Sequence, residues 1–153
     1  MVALTRVRVN GRAVRRHQFW VRHHKNSLEV TRFASRLVRM ADPRIDPTVP
    51  PSGDGCVEYL ASGGWWFHLR RCASCGHIGC CDSSPSQHAS AHAKGSAHTV
   101  IRSFEPGEDW FYDYATDEGM EGAALAPPEH HPLKQPTPGP AGEVPRDWQR
   151  YLH

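Results

Sequence analysis

The chain has 153 residues, is 39% hydrophobic and 22% charged, and holds 13 Gly and 13 Pro at a formal net charge of +2. That length suits one modest domain with tails, and no apolar run approaches the roughly 18 residues needed to cross a membrane as a helix. The N-terminal stretch has no apolar segment of about 7–15 residues ending in a small-residue cleavage site, so no secretory signal is expected and a reducing, cytoplasmic setting is.

The charge is unevenly spread. Residues 1–39 carry ten Arg or Lys against one Glu, giving +9, while residues 40–153 carry eight against fifteen, giving −7. Residues 1–39 therefore read as a basic extension. A nucleic-acid arm that neutralises phosphates is one reading. The blander readings are a disordered extension and a start set too far upstream, because Met40-Ala-Asp-Pro also opens as an ordinary acidic start. Residues 40–55, rich in Pro, Asp and Gly, read as an extended linker.

Residues 56–118 read as the domain. Strands are expected over 65–70, 99–104 and 110–114, with the acidic run 105–109 as a turn. Between the first two strands the punctuation predicts a helix, with Ser84 as cap, Pro85 in the first turn and Gly95 at the end. That helix places His88 and His92 four residues apart on one face. Residues 119–153 form a Pro-rich tail. Its 127–140 stretch reads as a stiff, solvated tether, and 145–152 as a short amphipathic helix carrying Trp148, Tyr151 and Leu152.

All five cysteines lie between positions 56 and 81, and three histidines follow within 17 residues. An odd count so tightly spaced is a poor disulfide framework. The pattern is Cys72-x2-Cys75-x4-Cys80-Cys81-x6-His88-x3-His92-x5-His98. Thiolate and imidazole are the usual zinc ligands, Cys-x2-Cys forms a knuckle around one ion, and a helical His pair reaches it from the other side. A domain of this size also buries too little surface to do without a staple. The expected fold is α+β: a small zinc-stapled sheet, antiparallel or mixed, with one helix across it, flanked by irregular N- and C-terminal segments.

The blocks Cys72-Ala-Ser-Cys-Gly-His-Ile-Gly-Cys80 and His88-Ala-Ser-Ala-His92 followed by His98 resemble the UBP-type zinc finger, the ubiquitin-binding finger of ubiquitin-specific proteases. The likeness runs from Cys56 to Tyr114 and is greatest to small stand-alone bacterial members. It implies one zinc on Cys72, Cys75, His92 and His98. It implies a second on Cys56, a cysteine three residues on, Cys80 and His88. The chain departs from the pattern there, because the position three residues on is Tyr59, and a neutral phenol is a poor zinc ligand. This site has three good ligands and a gap, to be filled by Cys81, by water, or left weak or empty. A third zinc of some members needs cysteines near 110–114, where there are none.

The resemblance also implies a recognition cleft. Eukaryotic members bind the free C-terminal carboxylate of ubiquitin with an arginine two residues after the cysteine matching Cys80. Here that position is Asp82, which repels a carboxylate. Trp66, Trp110 and Tyr112 match the aromatic positions, as walls of a cleft or as ordinary core packing, and Arg70, Arg71 or Arg102 are the candidates to replace the missing cation. His77 reads as structural or solvent-facing. The expected function is zinc binding by a non-catalytic module that recognises a protein or peptide of unknown identity, without the ubiquitin-type carboxylate and without a membrane. Two rivals stand beside it. One is a thiol or zinc-dependent enzyme, suggested by Cys72-x2-Cys75, the Cys80-Cys81 pair and the open second site, although no Glu base stands out around that site. The other is nucleic-acid binding through the basic arm.

Overall fold

A computed structural model describes residues 42–133 and 135–153, all of them within one compact unit. The basic extension, and with it the choice between Met1 and Met40, lies outside the described residues. The elements in order are α1 (Val57–Ser62), β1 (Leu69–Cys72), β2 (Ile78–Cys80), α2 (His88–Ser96), β3 (Val100–Ser103), β4 (Phe111–Asp113), β5 (Glu118–Met120) and a 3-10 turn at Trp148–Tyr151. The strands form one antiparallel sheet in the order β2-β1-β3-β4-β5. The fold is α+β.

β3 and β4 fall inside the expected strands. β1 begins later than expected, because Trp66 is drawn away into a backbone pair with Gly139, with N···O separations of 2.7 and 3.0 Å. β2 and β5 have three residues each, too short to show an alternation that sequence pattern can detect. α2 also starts later than its punctuation predicts. Gln87, at φ 51 and without a side-chain cap bond, precedes it. The Ser84 hydroxyl instead accepts the Phe67 N–H at 2.9 Å, holding the approach to β1 against the loop after β2.

One face of the sheet receives α2. Its approach depends on Gly79, where an added Cβ would come 2.6 Å from the Ala89 nitrogen. The other face carries Arg71 and Arg102 as direct cross-strand partners, both buried. Two like charges so placed need acceptors, and the linker and tail supply them. The Arg71 guanidinium donates to the carbonyls of Val49, Ala126 and Pro128 at 2.5, 2.7 and 3.1 Å, and Arg102 donates to that of Glu129 at 2.9 Å.

The segments read as linker and tether are thus laid on the sheet rather than solvated. Ile45 and Leu125 are buried with Ala73, Val100 and Phe111 in one apolar cluster, while Trp66, Leu69, Ile78 and Phe104 form a second with Cys56 and Cys80. Farther along, Trp148 stacks on Phe67 at 5.2 Å and Tyr151 meets Trp65 edge-on at 6.3 Å. Neither apolar cluster is large, which leaves room for a metal staple to carry much of the stability. No helix among the described residues is long and apolar enough to cross a membrane.

Candidate metal centre

The first cluster is built from the turn between β1 and β2 and from α2 with the residue run after it. Cys72 closes β1, its N–H donating to His77 O at 2.8 Å and its carbonyl accepting from Gly76 N–H at 3.0 Å. Gly76 sits at φ +75, and an added Cβ there would lie 2.0 Å from Pro50 O. A side chain would therefore break the knuckle's seat on the linker. From the other side α2 presents His92. Ser96 follows one turn later, its hydroxyl donating to His92 O at 2.7 Å and accepting the His98 N–H at 3.2 Å. One ligand atom each from Cys72, Cys75, His92 and His98 lies within 4.8 Å of the others.

Burial pushes the Cys72 thiol up to about 11. Burial, then the neighbouring His77 and His98, hold the His92 imidazole below its ordinary value. Without a cation, both shifts favour the neutral forms of Cys72 and His92. A bound cation reverses the thiol preference by replacing the protons.

The second cluster gathers at the start of α1, the end of β2 and the first residue of α2: Cys56, Cys80 and His88, again with one ligand atom each within 4.8 Å. His88 Nδ1 stands 3.2 Å from Cys56 Sγ and 3.5 Å from Cys80 Sγ, and the His88 N–H donates to Cys80 Sγ at 3.3 Å. The neighbouring Cys80, and then burial, drive the Cys56 thiol upward, while Cys56 in turn pulls Cys80 down.

Tyr59 supplies nothing to this cluster. Its hydroxyl donates to Ser86 Oγ at 2.6 Å and its ring packs edge-on against His88 at 4.6 Å. Cys81 is not in the cluster either. Adjacent residues leave a strand on opposite sides, and Cys81 Sγ lies 3.4 Å from Ser84 Oγ, toward the cleft. What sequence reading missed is Glu58. Its Oε2 lies 3.4 Å from Cys56 Sγ and 3.9 Å from His88 Nδ1, while its Oε1 lies 2.8 Å from His77 Nε2. The only signal for it was its place two residues after Cys56. His77 is accordingly held between Glu58 and His92 rather than turned to solvent.

A further group of polar residues binds the tail. Glu105 is buried, accepts the Leu69 N–H at 2.7 Å, and meets His131 Nε2 at 2.7 Å and Thr137 Oγ1 at 3.2 Å. Burial alone would raise its carboxyl. His68 at 3.5 Å, then the Leu69 N–H and His131, outweigh burial and hold it down to about 2.

Of the four residues read as a cleft, three come together and one does not. Asp82, Trp110 and Tyr112 line a depression together with Arg70, Cys81 and Tyr114. Beside it, between α2 and β4, opens a cleft of about 360 Å³ bordered by Asp82, Lys94, Tyr112, Tyr114 and Asp117. Trp66 borders neither. It is 1% exposed in the core, because its backbone pairs with Gly139 and its ring packs under Gly55. Of the three arginines weighed as replacements for the missing cation, only Arg70 reaches the depression, with its guanidinium 4.7 Å above the Trp110 ring. Arg71 and Arg102 are committed to the tail.

The two clusters fit zinc. Sulfur and nitrogen ligands of one tetrahedral zinc, at about 2.3 and 2.0–2.1 Å from the ion, stand roughly 3.5 Å apart. Here the sulfur–nitrogen separations are 3.2, 3.5 and, for Cys75 with His92 Nε2, 3.4 Å. His98 Nδ1 is buried without a hydrogen-bond partner, a state that native polar atoms rarely keep unless a ligand satisfies the side chain.

A small α+β domain cross-linked by Cys/His groups with these separations is a zinc-finger domain in architecture. Residues 56–125 match the family described as "Zn-finger in ubiquitin-hydrolases and other protein", and this stretch of the chain is a UBP-type zinc finger. Among solved structures it is similar to the solution NMR structure of protein RPA1320 from Rhodopseudomonas palustris, at 34% identity, covering 68% of this chain and 92% of that one, with a TM-score of 0.49. No curated protein matches it.

Proposed function

We propose that Cys72, Cys75, His92 and His98 hold one structural zinc, and that the domain so stapled is a non-catalytic recognition module for a protein or peptide. The observation that carries the first half is the convergence of four good ligand atoms from two separate elements. Zinc there supplies a cross-link between the β1–β2 turn and the α2 region, which the two small apolar clusters need. A non-catalytic role is supported by the separation of the clusters from the clefts: neither cleft is bordered by a residue of either cluster. Ligand thiols must stay reduced, which favours a cytoplasmic setting.

The recognition half rests on the cleft between α2 and β4. Asp82 and Asp117 border it together with two tyrosines and a lysine. A carboxylate end of ubiquitin type meets like charge at Asp82, and a neutral or cationic group meets aromatic faces and an acid. The experiment is elemental analysis of the purified chain for zinc, with wild type and Cys75→Ser compared. At least one zinc per wild-type chain, lost together with the fold in Cys75→Ser, is the expected result. A zinc-free, folded wild type overturns the reading.

A further inference from the structure

We propose that Glu58 is the fourth ligand of the second metal site, which is thus a Cys56, Cys80, His88, Glu58 site for zinc rather than a three-ligand remnant.

The proposal rests on the reading that this family's clusters take zinc. The site is one ligand short because Tyr59 stands at the knuckle position, and three candidates surround the gap. Tyr59 is excluded by its placement, with its hydroxyl bonded to Ser86 and its ring packed edge-on against His88. Cys81 is excluded by strand alternation, its sulfur lying against Ser84 on the cleft side. Glu58 remains, beside two of the three ligands, with its carboxylate farther from Cys80 Sγ than the 4.8 Å that spans the other three ligand atoms. Its Oε2 approaches one sulfur at 3.4 Å and the ligand nitrogen at 3.9 Å. Oxygen and sulfur ligands of one tetrahedral zinc stand roughly 3.6 Å apart, and oxygen and nitrogen roughly 3.4 Å. These two separations are near that range, and closing the site requires Oε2 to turn toward Cys80 Sγ as well.

The other carboxylate oxygen is what makes this a built arrangement rather than a passing contact. Oε1 is held by His77 Nε2 at 2.8 Å, which leaves Oε2 as the oxygen aimed at the cluster. His77 is itself fixed by stacking on His92, a ligand of the first cluster, with ring centroids 4.1 Å apart. A carboxylate oriented by a second-layer imidazole is the mirror of the common arrangement in which a carboxylate orients a ligating imidazole. The spacing changes with the ligand. A cysteine reaches a metal from three residues beyond its partner, whereas the longer Glu side chain reaches it from two.

The test is zinc content and affinity of the full chain against a graded chelator, for wild type, Glu58→Gln, Cys81→Ser and His77→Ala. Two zincs per wild-type chain are expected. Glu58→Gln should keep the first zinc and a dispersed NMR spectrum, but hold the second more weakly by over the roughly 10–100-fold that loss of an outer partner costs. Cys81→Ser should change nothing. Replacement of zinc by cobalt(II) in the wild type gives a readout independent of any variant's folding. Charge-transfer absorption should correspond to four thiolates for two ions, from Cys56, Cys72, Cys75 and Cys80, where recruitment of Cys81 would make five. One zinc per wild-type chain, a second zinc indifferent to Glu58→Gln, or five thiolates would each overturn the proposal and leave the first site standing. A wild type without zinc would overturn both.

Discussion

The rings of His77 and His92 stack 4.1 Å apart and within 6° of parallel, while His77 Nε2 stands 2.8 Å from Glu58 Oε1. A single side chain that is no member of either cluster thus touches a ligand of the first and the carboxylate beside the second. His77→Ala should lower zinc affinity at the second cluster by about 10–100-fold, the usual effect of losing a partner that orients a ligand. The first zinc should be retained, since all four of its ligands remain. Competition with a chromogenic chelator reads both, and equal loss at the two clusters would contradict this assignment of His77.

Cys75→Ser should leave the domain largely unfolded. Apparent binding energies of structural zinc are about 10–16 kcal/mol near pH 7, at or above the whole stability of an ordinary domain, about 5–15 kcal/mol. Two separate small apolar clusters cannot replace that. A Cys75→Ser protein with native dispersion in its NMR spectrum would refute the dependence.

Glu105→Gln should loosen the tail. The carboxyl is held at about 2, below its ordinary 4.5. A lowered carboxyl contributes stability that is complete above about pH 4.5 and is lost as pH falls toward 2. The gap corresponds to about 3 kcal/mol. At pH 7 the variant should therefore be less stable to urea and cleaved faster by protease within 126–139. Below pH 4.5 its disadvantage should shrink. A constant difference from pH 7 to pH 3 would show that the bonds from Leu69 and His131 act by shape alone.

The wild-type chain should not bind a peptide ending in a free Gly-Gly carboxylate, and Asp82→Arg should begin to. Like charges at about 4 Å repel by about 4 kcal/mol at an effective dielectric near 20, and an absent charge-assisted bond forfeits about 1.5–3 kcal/mol. Together these amount to several decades of affinity. Arg70 over Trp110 leaves one cation at the edge of the depression, so Arg70→Ala in the Asp82→Arg background should weaken the gained binding. Calorimetric titration measures all three, and micromolar binding by the wild type would refute the prediction.

The knuckle Cys72-x2-Cys75, the His88-x3-His92 pair and strands β3 and β4 were readable from the chain alone. Metal chemistry and regular backbone both impose short, fixed spacings, and residue type at those spacings carries the information. Glu58 was not readable, because a ligand two positions from Cys56 is recognisable only once His77, brought in by the β1–β2 turn, is seen to hold its other oxygen. Nor could pattern tell that Trp66 is core and not cleft wall. That depends on Gly139, far along the chain in a stretch whose composition reads as solvated tether. Proline-rich segments form few bonds among themselves, and only the tertiary structure shows that Arg71 and Arg102, facing each other across two strands, bind that segment's carbonyls and hold it on the sheet.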